Sequence, residues 1–241
     1  MLQDLADAAP LFLQGVGITV LYTVLGALSA GIVAFVLGLM ALSPWVSVRG
    51  VARTIIEFFR GTSLVVQILW IYFVLPFVGI ALEPIAAGTL ALALNFGAYG
   101  AEIVRGAITA VPKAQWEATV ALSLSPVKRM RRVILPQAIP EMVPPFGNLL
   151  VQMLKGSSLL FLIGITELTF EVQQLRFEIG SLTAFTIALV VYFFLAQAFL
   201  AVMRVWERRA SARVGRVRAK ETPESAVVHA PSGGAGAGGA L

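Results

Sequence analysis

Five long apolar stretches alternate with shorter polar segments along the chain. Each is long enough for a helix that crosses the hydrocarbon core of a bilayer, which needs about 20 mostly apolar residues (range about 17–25). The pattern therefore predicts an all-α integral membrane protein with about five transmembrane helices. The predicted spans cover residues 13–42, 64–80, 84–104, 142–165 and 182–203.

A few polar side chains fall inside or close to these predicted spans. The fourth span is the most interrupted, because Asn148, Gln152 and Lys155 are spaced along it. Polar groups are costly in a bilayer and usually face other helices or a water-filled path. We therefore treat four of them as candidates for contact with a transported solute, the alternative being hydrogen bonds between helices. These substrate-pathway candidates are Gln67, Asn95, Gln152 and Lys155.

Two pairs of opposite charges lie near the ends of the predicted spans. Glu102 and Arg105 are three residues apart, as are Glu57 and Arg60. Residues at this spacing are neighbours on one face of a helix. We expect both pairs to form ion pairs at helix ends rather than to contact a solute.

The composition supports a membrane protein and excludes several kinds of chemistry. Hydrophobic residues make up 58% of the 241 and charged residues only 13%, whereas soluble domains have about 25% charged residues. There is no cysteine, and the single histidine, His229, lies in a Gly/Ala-rich stretch. Disulfides, thiolate metal sites and histidine-based catalysis are therefore not expected, and no cofactor is predicted. No Gly-x-x-x-x-Gly-Lys-Ser/Thr loop occurs, so ATP hydrolysis would need another chain.

Positive charge is concentrated on one side of the predicted bundle. Sixteen of the eighteen Lys and Arg residues fall between the first and second spans, between the third and fourth, or after the fifth. Basic segments stay cytoplasmic, so we predict an external N-terminal segment (1–12) and a cytoplasmic C-terminus. A cytoplasmic face explains the net charge of +5 better than nucleic-acid binding does. Residues 207–241 become polar and low in complexity, which predicts a disordered tail.

The segment between the third and fourth spans is long, basic and patterned like folded structure. The spacing of Ala114, Ala118 and Ala121 predicts a helix over residues 113–124 with a stripe of small side chains. Such a stripe allows another surface to approach closely. The segment is therefore more than a simple connection.

A second short helix is predicted to follow. Ser125 is placed to cap it and Pro126 to begin it, and Pro136 and Pro140 are expected to end it and return the chain to the bilayer. A helix–turn–helix with a small, flat surface suits docking to another protein. The alternative is a pair of amphipathic helices lying on anionic lipid.

The sequence of this segment carries a family resemblance. "EATVALSLSPVKRMRRVILPQA" is similar to the EAA loop of bacterial ABC importer membrane subunits, in which Glu-Ala-Ala is followed by Gly, Ile and Leu-Pro at fixed spacing. Thr119, Ser123 and Val133 stand where the pattern has Ala, Gly and Ile. The residues that the resemblance assigns to ATPase coupling are Glu117, Ala118, Ser123, Leu135 and Pro136.

The resemblance extends over most of residues 15–205. "EFFRGTSLVVQILWIYFVLP", "LNFGAYGAEIVRGAITAVP" and "PPFGNLLVQMLKGSSLL" resemble the second, third and fourth spans of permeases for polar amino acids. "GAYGAEIVRGAI" with the following "QWEA" is similar to subunits of ectoine and hydroxyectoine uptake systems. The resemblance implies the ABC transmembrane type-1 fold over residues 13–206, with its cytoplasmic EAA coupling loop at about 113–138.

The same resemblance implies a function and a set of partners. The chain would be a permease subunit, not an enzyme, of an importer for a polar amino acid or related zwitterion in the bacterial cell membrane. Its partners would be ATP-binding ABC subunits, a second permease copy or paralogue, an extracytoplasmic solute-binding protein and the lipid bilayer, but no nucleic acid. Glu117 would make the anchoring contact with the ATPase, while Ser123, Leu135 and Pro136 would shape the loop.

Two other classes of function are considered from the residues alone. A secondary transporter or channel acting without ATPases would be favoured by inverted repeats or a mid-membrane carboxylate, and neither is clear in the sequence. A membrane-embedded enzyme would need a catalytic set within the spans, where the chain has no cysteine, no histidine and no paired carboxylates.

Overall fold

Helices account for all the regular structure in the described part of the chain. The structure, a computed structural model, describes residues 2–213, with side chains within 10–209, and no strand occurs in that part. The α-helices are α1 (Leu2–Ala41), α2 (Val46–Gly61), α3 (Leu64–Leu69), α4 (Pro84–Thr109), α5 (Lys113–Ala121), α6 (Pro126–Arg129), α7 (Leu135–Ser157), α8 (Leu168–Ile179) and α9 (Ser181–Arg213). The predicted all-α fold is confirmed.

Short π-helical or 3₁₀ turns extend three of these helices. They carry α3 on to Val78, α6 to Ile134 and α7 to Ile163. At the ends of the chain, α1 already includes most of the predicted external segment, and α9 continues past residue 207 to Arg213. The rest of the predicted tail lies outside the described residues.

Five regions within the described residues could cross a membrane. Four are single helical stretches of sufficient length and hydropathy, and the fifth is the pair formed by α2 and α3. With the bent pair counted as one span, their number and order agree with the five predicted spans, although most of the helices extend beyond the apolar stretches. The four single stretches are Pro10–Ala41, Pro84–Thr109, Pro126–Ile163 and Ser181–Arg209.

The second predicted span is one arm of a broken helix. Residues 46–61, which hydropathy leaves as a connecting segment, form α2, and α2 meets Leu64–Val78 at an angle of 104°. Ala52 and Ile56 are buried against α1 and α4, whereas Arg53 and Glu57 are exposed. An amphipathic helix of this kind has too few consecutive apolar residues for hydropathy to detect, yet its apolar stripe holds it on its neighbours.

α1 and α4 are the central pair of helices. Small residues let their backbones approach closely, because a methyl group added at Gly100 would lie 2.7 Å from Ala34 Cβ. At Gly97 it would lie 2.6 Å from the side chain of Val33. Helices in membranes associate through such contacts, since lipid offers no hydrophobic driving force between them. The pair is the platform on which α2, α7 and α8 pack, and α9 covers α7 and α8.

Pro136 and Pro140 do not end a helix, contrary to the prediction from sequence. α7 begins at Leu135 and continues through Pro140 to Ser157. Pro136 lies in the first turn of α7, directly after a π-helical turn, and its missing backbone N–H removes one hydrogen bond from the helix at this point. The chain enters α7 through a π-helical turn, in which the Leu135 N–H donates to the carbonyl oxygen of Met130. The prolines therefore shape one long helix instead of separating two.

Glu167 ties the N-terminus of α8 to α1 and α9. Its buried carboxylate accepts hydrogen bonds from two backbone N–H groups at the start of α8 (2.8 and 3.0 Å) and from Tyr192 Oη of α9 (3.0 Å). Thr19 of α1 accepts the backbone N–H of Leu168 at 3.1 Å. Burial raises the pKa of the Glu167 carboxyl to about 7, because the loss of hydration outweighs the hydrogen bonds that favour its charge.

We expect thermal stability to fall as the pH rises through the Glu167 pKa of about 7. A group whose pKa is raised in the folded state stabilises that state when protonated, and the contribution is lost on ionisation. Glu167→Gln is uncharged at every pH and of similar size, so it should flatten the dependence of Tm on pH across neutrality. The measurement is a melting series in detergent for the wild type and the variant. Glu178→Gln, at an exposed glutamate of the same helix, is the control; a Glu167→Gln variant as pH-sensitive as wild type would assign the effect to another group.

Candidate functional site

α5 lies across one end of the bundle with two unlike sides. On the inner side Thr119 is buried, and Trp116 packs against the cluster formed by the end of α4 and the start of α7. The Thr119 hydroxyl donates to the Trp116 carbonyl oxygen at 2.6 Å, which satisfies it without an outside partner. The outer side is exposed along its length. It carries Ala114, Glu117, Ala118, Val120 and Ala121.

The C-terminus of α5 is closed by Ser123 in a left-handed conformation. Its φ is +50°, and it is the only residue other than glycine with a positive φ among those described. The Ser123 N–H donates to the Val120 carbonyl oxygen (2.8 Å), and the Leu124 N–H donates to that of Thr119 (3.1 Å). These two bonds form a Schellman motif, whose left-handed position favours glycine. The helix therefore ends at Ala121, three residues earlier than predicted, and the conformation explains why the EAA pattern has glycine where this chain has Ser123.

The remaining loop residues are only partly as predicted. Ser125 occupies the position before α6 with an extended backbone, but its side chain forms no capping hydrogen bond. Leu135 is half-buried and Pro136 exposed at the start of α7. A hydrogen bond joins α7 to α5 at this point, because Gln137 Nε2 of α7 donates to Gln115 Oε1 of α5 at 3.3 Å. Leu135 and Pro136 therefore lie in the element that carries α5 and not on its outer side.

Glu117 lies in the middle of an exposed surface that mixes one charge with apolar groups. Its carboxylate has no hydrogen bond or salt bridge among the described residues. Val120, Leu122 and Val127 beside it are 57%, 73% and 75% exposed. A surface that is rich in exposed apolar side chains is typical of an interaction site.

Gln67 and Asn95, two of the pathway candidates, form a buried hydrogen-bonded pair. Gln67 Nε2 donates to the carbonyl oxygen of Phe59 (3.0 Å) and to Thr62 Oγ1 (2.6 Å). Asn95 Nδ2 donates to the same Phe59 carbonyl (3.2 Å) and to Gln67 Oε1 (3.2 Å). The pair thus satisfies backbone groups freed by the break between α2 and α3. In the structure these two residues therefore form hydrogen bonds between helices, which is the alternative to contact with a solute.

Gln152 and Lys155, the other two candidates, are exposed on α7. With Asn148, also exposed, they follow the spacing i, i+4, i+7 and so lie on one face of the helix. Polar side chains at this depth face protein or water and not lipid. This polar face remains uncovered by the described part of the chain.

One of the two predicted ion pairs is present. Arg105 Nη2 lies 2.6 Å from Glu102 Oε2, and its Nε also donates to that carboxylate. The prediction for Glu57 and Arg60 is wrong: no salt bridge joins them, and Arg60 lies instead over the ring of Tyr99, with 5.4 Å between its Cζ and the ring centroid. No group of acidic or histidine side chains within the described residues is arranged to hold a metal ion.

Comparison with known proteins identifies the group to which this architecture belongs. The model of the family described as "Binding-protein-dependent transport system inner membrane component" matches residues 23–212. The chain belongs to this family. It is therefore a multi-pass membrane component of a transport system, in agreement with the resemblance of its α4–α7 connection to the EAA loop.

Relatives of this family resemble the chain over most of its length. A probable amino-acid ABC transporter permease, y4tF of Sinorhizobium fredii, is 45% identical over 201 residues, covering 80% of this chain and 84% of the relative. The glutamine transport system permease GlnP of Escherichia coli K12 is 37% identical over 210 residues, covering 84% and 94%. The L-cystine permease TcyB of Bacillus subtilis is 32% identical over 206 residues, covering 83% and 86%.

Solved transporter structures share the fold. The crystal structure of an amino acid ABC transporter with histidines matches with a TM-score of 0.78 at 34% identity, covering 85% of this chain and 96% of the matched chain. An inward-facing MetNI methionine ABC transporter matches with a TM-score of 0.65 at 18% identity, covering 81% and 95%, which supports the fold alone. The predicted ABC transmembrane type-1 fold is confirmed.

Sequence reasoning within this family missed two features of the site. The first is that Thr119 packs inwards. The sequence does indicate this, because Thr119 occupies the position of the second alanine in the EAA pattern, and a small residue there suits close packing. The spacing along α2 predicts an ion pair for Arg60, because spacing shows which side chains are neighbours on one helix but not that α4 brings Tyr99 against Arg60. That contact joins elements far apart in the sequence.

We expect substitutions at Ser123 to rank by their tolerance of a positive φ. Ser123→Gly should protect the amides of residues 123 and 124 more strongly, since glycine adopts this conformation without the cost of about 1–2 kcal/mol that a Cβ adds. Ser123→Val should weaken the same two bonds by about 1 kcal/mol or more, because β-branched side chains tolerate this region least. Hydrogen exchange of these amides gives the measurement. Ser47→Gly and Ser47→Val, at an exposed serine of α2, are the matched controls, and equal exchange in the two Ser123 variants would contradict the strain argument.

Proposed function

We propose that this chain is the permease subunit of an ATP-driven importer for a polar amino acid or a related zwitterion. The proposal is supported by relatives named as amino-acid, glutamine and cystine permeases that match most of the chain. Ectoine, favoured by one sequence resemblance, belongs to the same chemical class of small zwitterions. The cognate solute-binding protein, screened by thermal shift against amino acids and ectoine, would identify the solute.

The outer side of α5 is the observation that carries the coupling role. Its side chains are small at Ala114, Ala118 and Ala121, which leaves a shallow depression on this side of the helix. Glu117 adds one carboxylate that has no partner among the described residues. A protein surface that packs against this depression would bury Val120, and a basic side chain on it would pair with the Glu117 carboxylate. We assign this surface to contact with a separate ATP-binding subunit, which hydrolyses ATP.

The polar face of α7 supports a route for the solute. Gln152 and Lys155 present amide and ammonium groups on a helix long and apolar enough to span the membrane. A second permease copy or paralogue placed against this face would enclose it between the two subunits. In this arrangement Gln152 and Lys155 contact the solute, whereas Gln67 and Asn95 hold the helix break.

We expect Glu117→Lys to leave the subunit folded and inserted but to separate it from its ATPase. Glu117 is exposed, so the substitution changes no internal contact. In the docked complex it would bury a reversed charge, and disrupting a buried charged contact typically costs about 2–5 kcal/mol. Co-purification of the ATPase and ATP-dependent solute uptake in proteoliposomes are the measurements, and both should be lost.

The matched control is Glu178→Lys, at an exposed glutamate near the end of α8 at the opposite end of the bundle. It makes the same change of charge away from the proposed contact, so the ATPase should still co-purify. If Glu117→Lys keeps full co-purification and uptake, α5 is not the coupling element, and a pair of helices resting on anionic lipid becomes the better description.

We also expect the two ends of the bundle to lie on opposite sides of the membrane. The basic residues next to α5 and at the end of α9 predict that this end is cytoplasmic. Alkaline phosphatase, which is active only outside the cytoplasm, should be active when fused at Gly180 and inactive when fused after Arg209. Fluorescent-protein fusions at the same points should give the opposite result. Activity of both phosphatase fusions would overturn the proposed orientation.

A further inference from the structure

The break between α2 and α3 is stabilised by side chains that take up its free carbonyl groups. Thr62 Oγ1 donates to the carbonyl oxygen of Phe58 at 2.8 Å, and Tyr99 Oη donates to that of Arg60 at 3.2 Å. The Phe59 carbonyl between them is held by the Gln67–Asn95 amide pair described above. The carbonyls of Phe58, Phe59 and Arg60 are therefore all satisfied by side chains of the protein, which support the break.

The break lies at mid-depth of the helical bundle. Asn95 and Tyr99, which contact it, are close to the centre of α4, a helix long enough to cross the membrane. Irregular backbone at such a depth occurs only where protein buries it or where it borders a water-filled cavity. In transporters, broken helices of this kind are found where solutes bind.

Arg60 places a guanidinium at this position. Its Cζ lies 5.4 Å from the ring centroid of Tyr99, which holds the side chain against α4. Its Nε is buried and has no hydrogen-bond partner, and no salt bridge to Arg60 occurs among the described residues. A buried donor without a partner costs free energy, so the site favours any ligand that supplies an acceptor.

The carboxylates near Arg60 do not supply that acceptor. Glu102, one turn beyond Tyr99 on α4, is occupied by Arg105 through contacts of 2.6 and 3.0 Å. Glu57, one turn before Arg60 on α2, is exposed and forms no salt bridge. The positive charge at the break is thus left without a paired carboxylate in the described part of the chain.

We infer that Arg60 binds the carboxylate group of the transported solute at the break between α2 and α3. The inference rests on the proposed function, because it requires a solute that passes through this permease. A guanidinium presents a planar fork of donors that matches the two oxygens of a carboxylate, and it is always charged. Arg60 would then be a binding residue, with Gln67 and Asn95 as the positioning residues that hold the break.

This role defines the chemical class of the solute. It must carry a free carboxylate, as α-amino acids and ectoine do, and an α-amide of the same molecule should be bound much more weakly. Tyr99 is 38% exposed beside the guanidinium. Its ring can therefore pack against the carbon atoms of the solute while Arg60 binds the carboxylate.

The test uses the permease assembled with its ATPase in lipid nanodiscs, without the solute-binding protein. Binding of a mixture of radiolabelled L-amino acids and ectoine is measured for wild type, Arg60→Met and Arg60→Lys. Arg60→Met should weaken binding by about tenfold or more, the usual effect of losing a hydrogen bond to a charged group. Arg60→Lys should retain an intermediate affinity, because it keeps the charge but loses the fork. The α-amide of the bound solute should compete poorly with it in wild type.

Arg53→Met is the matched control on the same helix. Arg53 is exposed and forms no salt bridge with a described residue, so its substitution removes an equal charge without touching the break. Binding to Arg53→Met should equal that of wild type, and co-purification of the ATPase should be unchanged in every variant.

The outcomes separate the inference from the function on which it rests. If the complete wild-type importer takes up no carboxylate-bearing solute in proteoliposomes, the proposed function fails regardless of Arg60. If uptake occurs but Arg60→Met binds the solute as tightly as wild type, the assignment of Arg60 is overturned and the function stands. If Arg60→Met does not assemble, Arg60→Lys decides the question, and wild-type affinity in that variant likewise contradicts the assignment.

Discussion

The fold depends on satisfying backbone polar groups within a bundle that is too apolar to supply water. In a membrane, an unpaired N–H or C=O costs several kcal/mol, so each irregular point of a span needs an internal partner. The break between α2 and α3 meets this requirement with the amide groups of Gln67 and Asn95, which converge on the Phe59 carbonyl. A break supported in this way can hold its angle of 104° without opening to lipid.

The same constraint explains other polar residues of the bundle. Gln137 Nε2 donates to the Val133 carbonyl at 3.0 Å, where the π-helical turn enters α7. Thr19 and Thr23 in α1 donate their hydroxyls to carbonyls four residues earlier, so neither brings an unpaired hydroxyl into the span. At the start of α8, Glu167 accepts the free N–H groups of the helix terminus. Most polar groups inside the described spans therefore serve the backbone. The exceptions include three buried atoms without a partner, Thr89 Oγ1, Arg129 Nε and Arg60 Nε, of which Arg60 Nε lies at the break.

The sequence predicts this structure well where one element decides the outcome. Hydropathy is sufficient for the four spans formed by single helical stretches and for one arm of the broken span. Residue spacing is sufficient for the exposed alanine stripe of α5 and for the Glu102–Arg105 pair. It fails where two elements meet. Local rules predict that Pro136 ends a helix. In the structure a π-helical turn precedes Pro136, and the proline lies in the first turn of α7. Arg60 has Glu57 at pairing distance along α2, yet the approach of α4 offers it the ring of Tyr99 instead.

One helix joins the two ends of the proposed mechanism. α4 contributes Asn95 and Tyr99 to the break at its centre, and its C-terminus leads within four residues to α5. It packs closely on α1, because an added methyl group at Gly97 or Gly100 would clash with that helix. α5 in turn packs through Trp116 on the end of α4. If α5 is the coupling element, this packing would transmit a displacement of its outer side to α4 and α1 together, and so towards the carbonyls around Arg60.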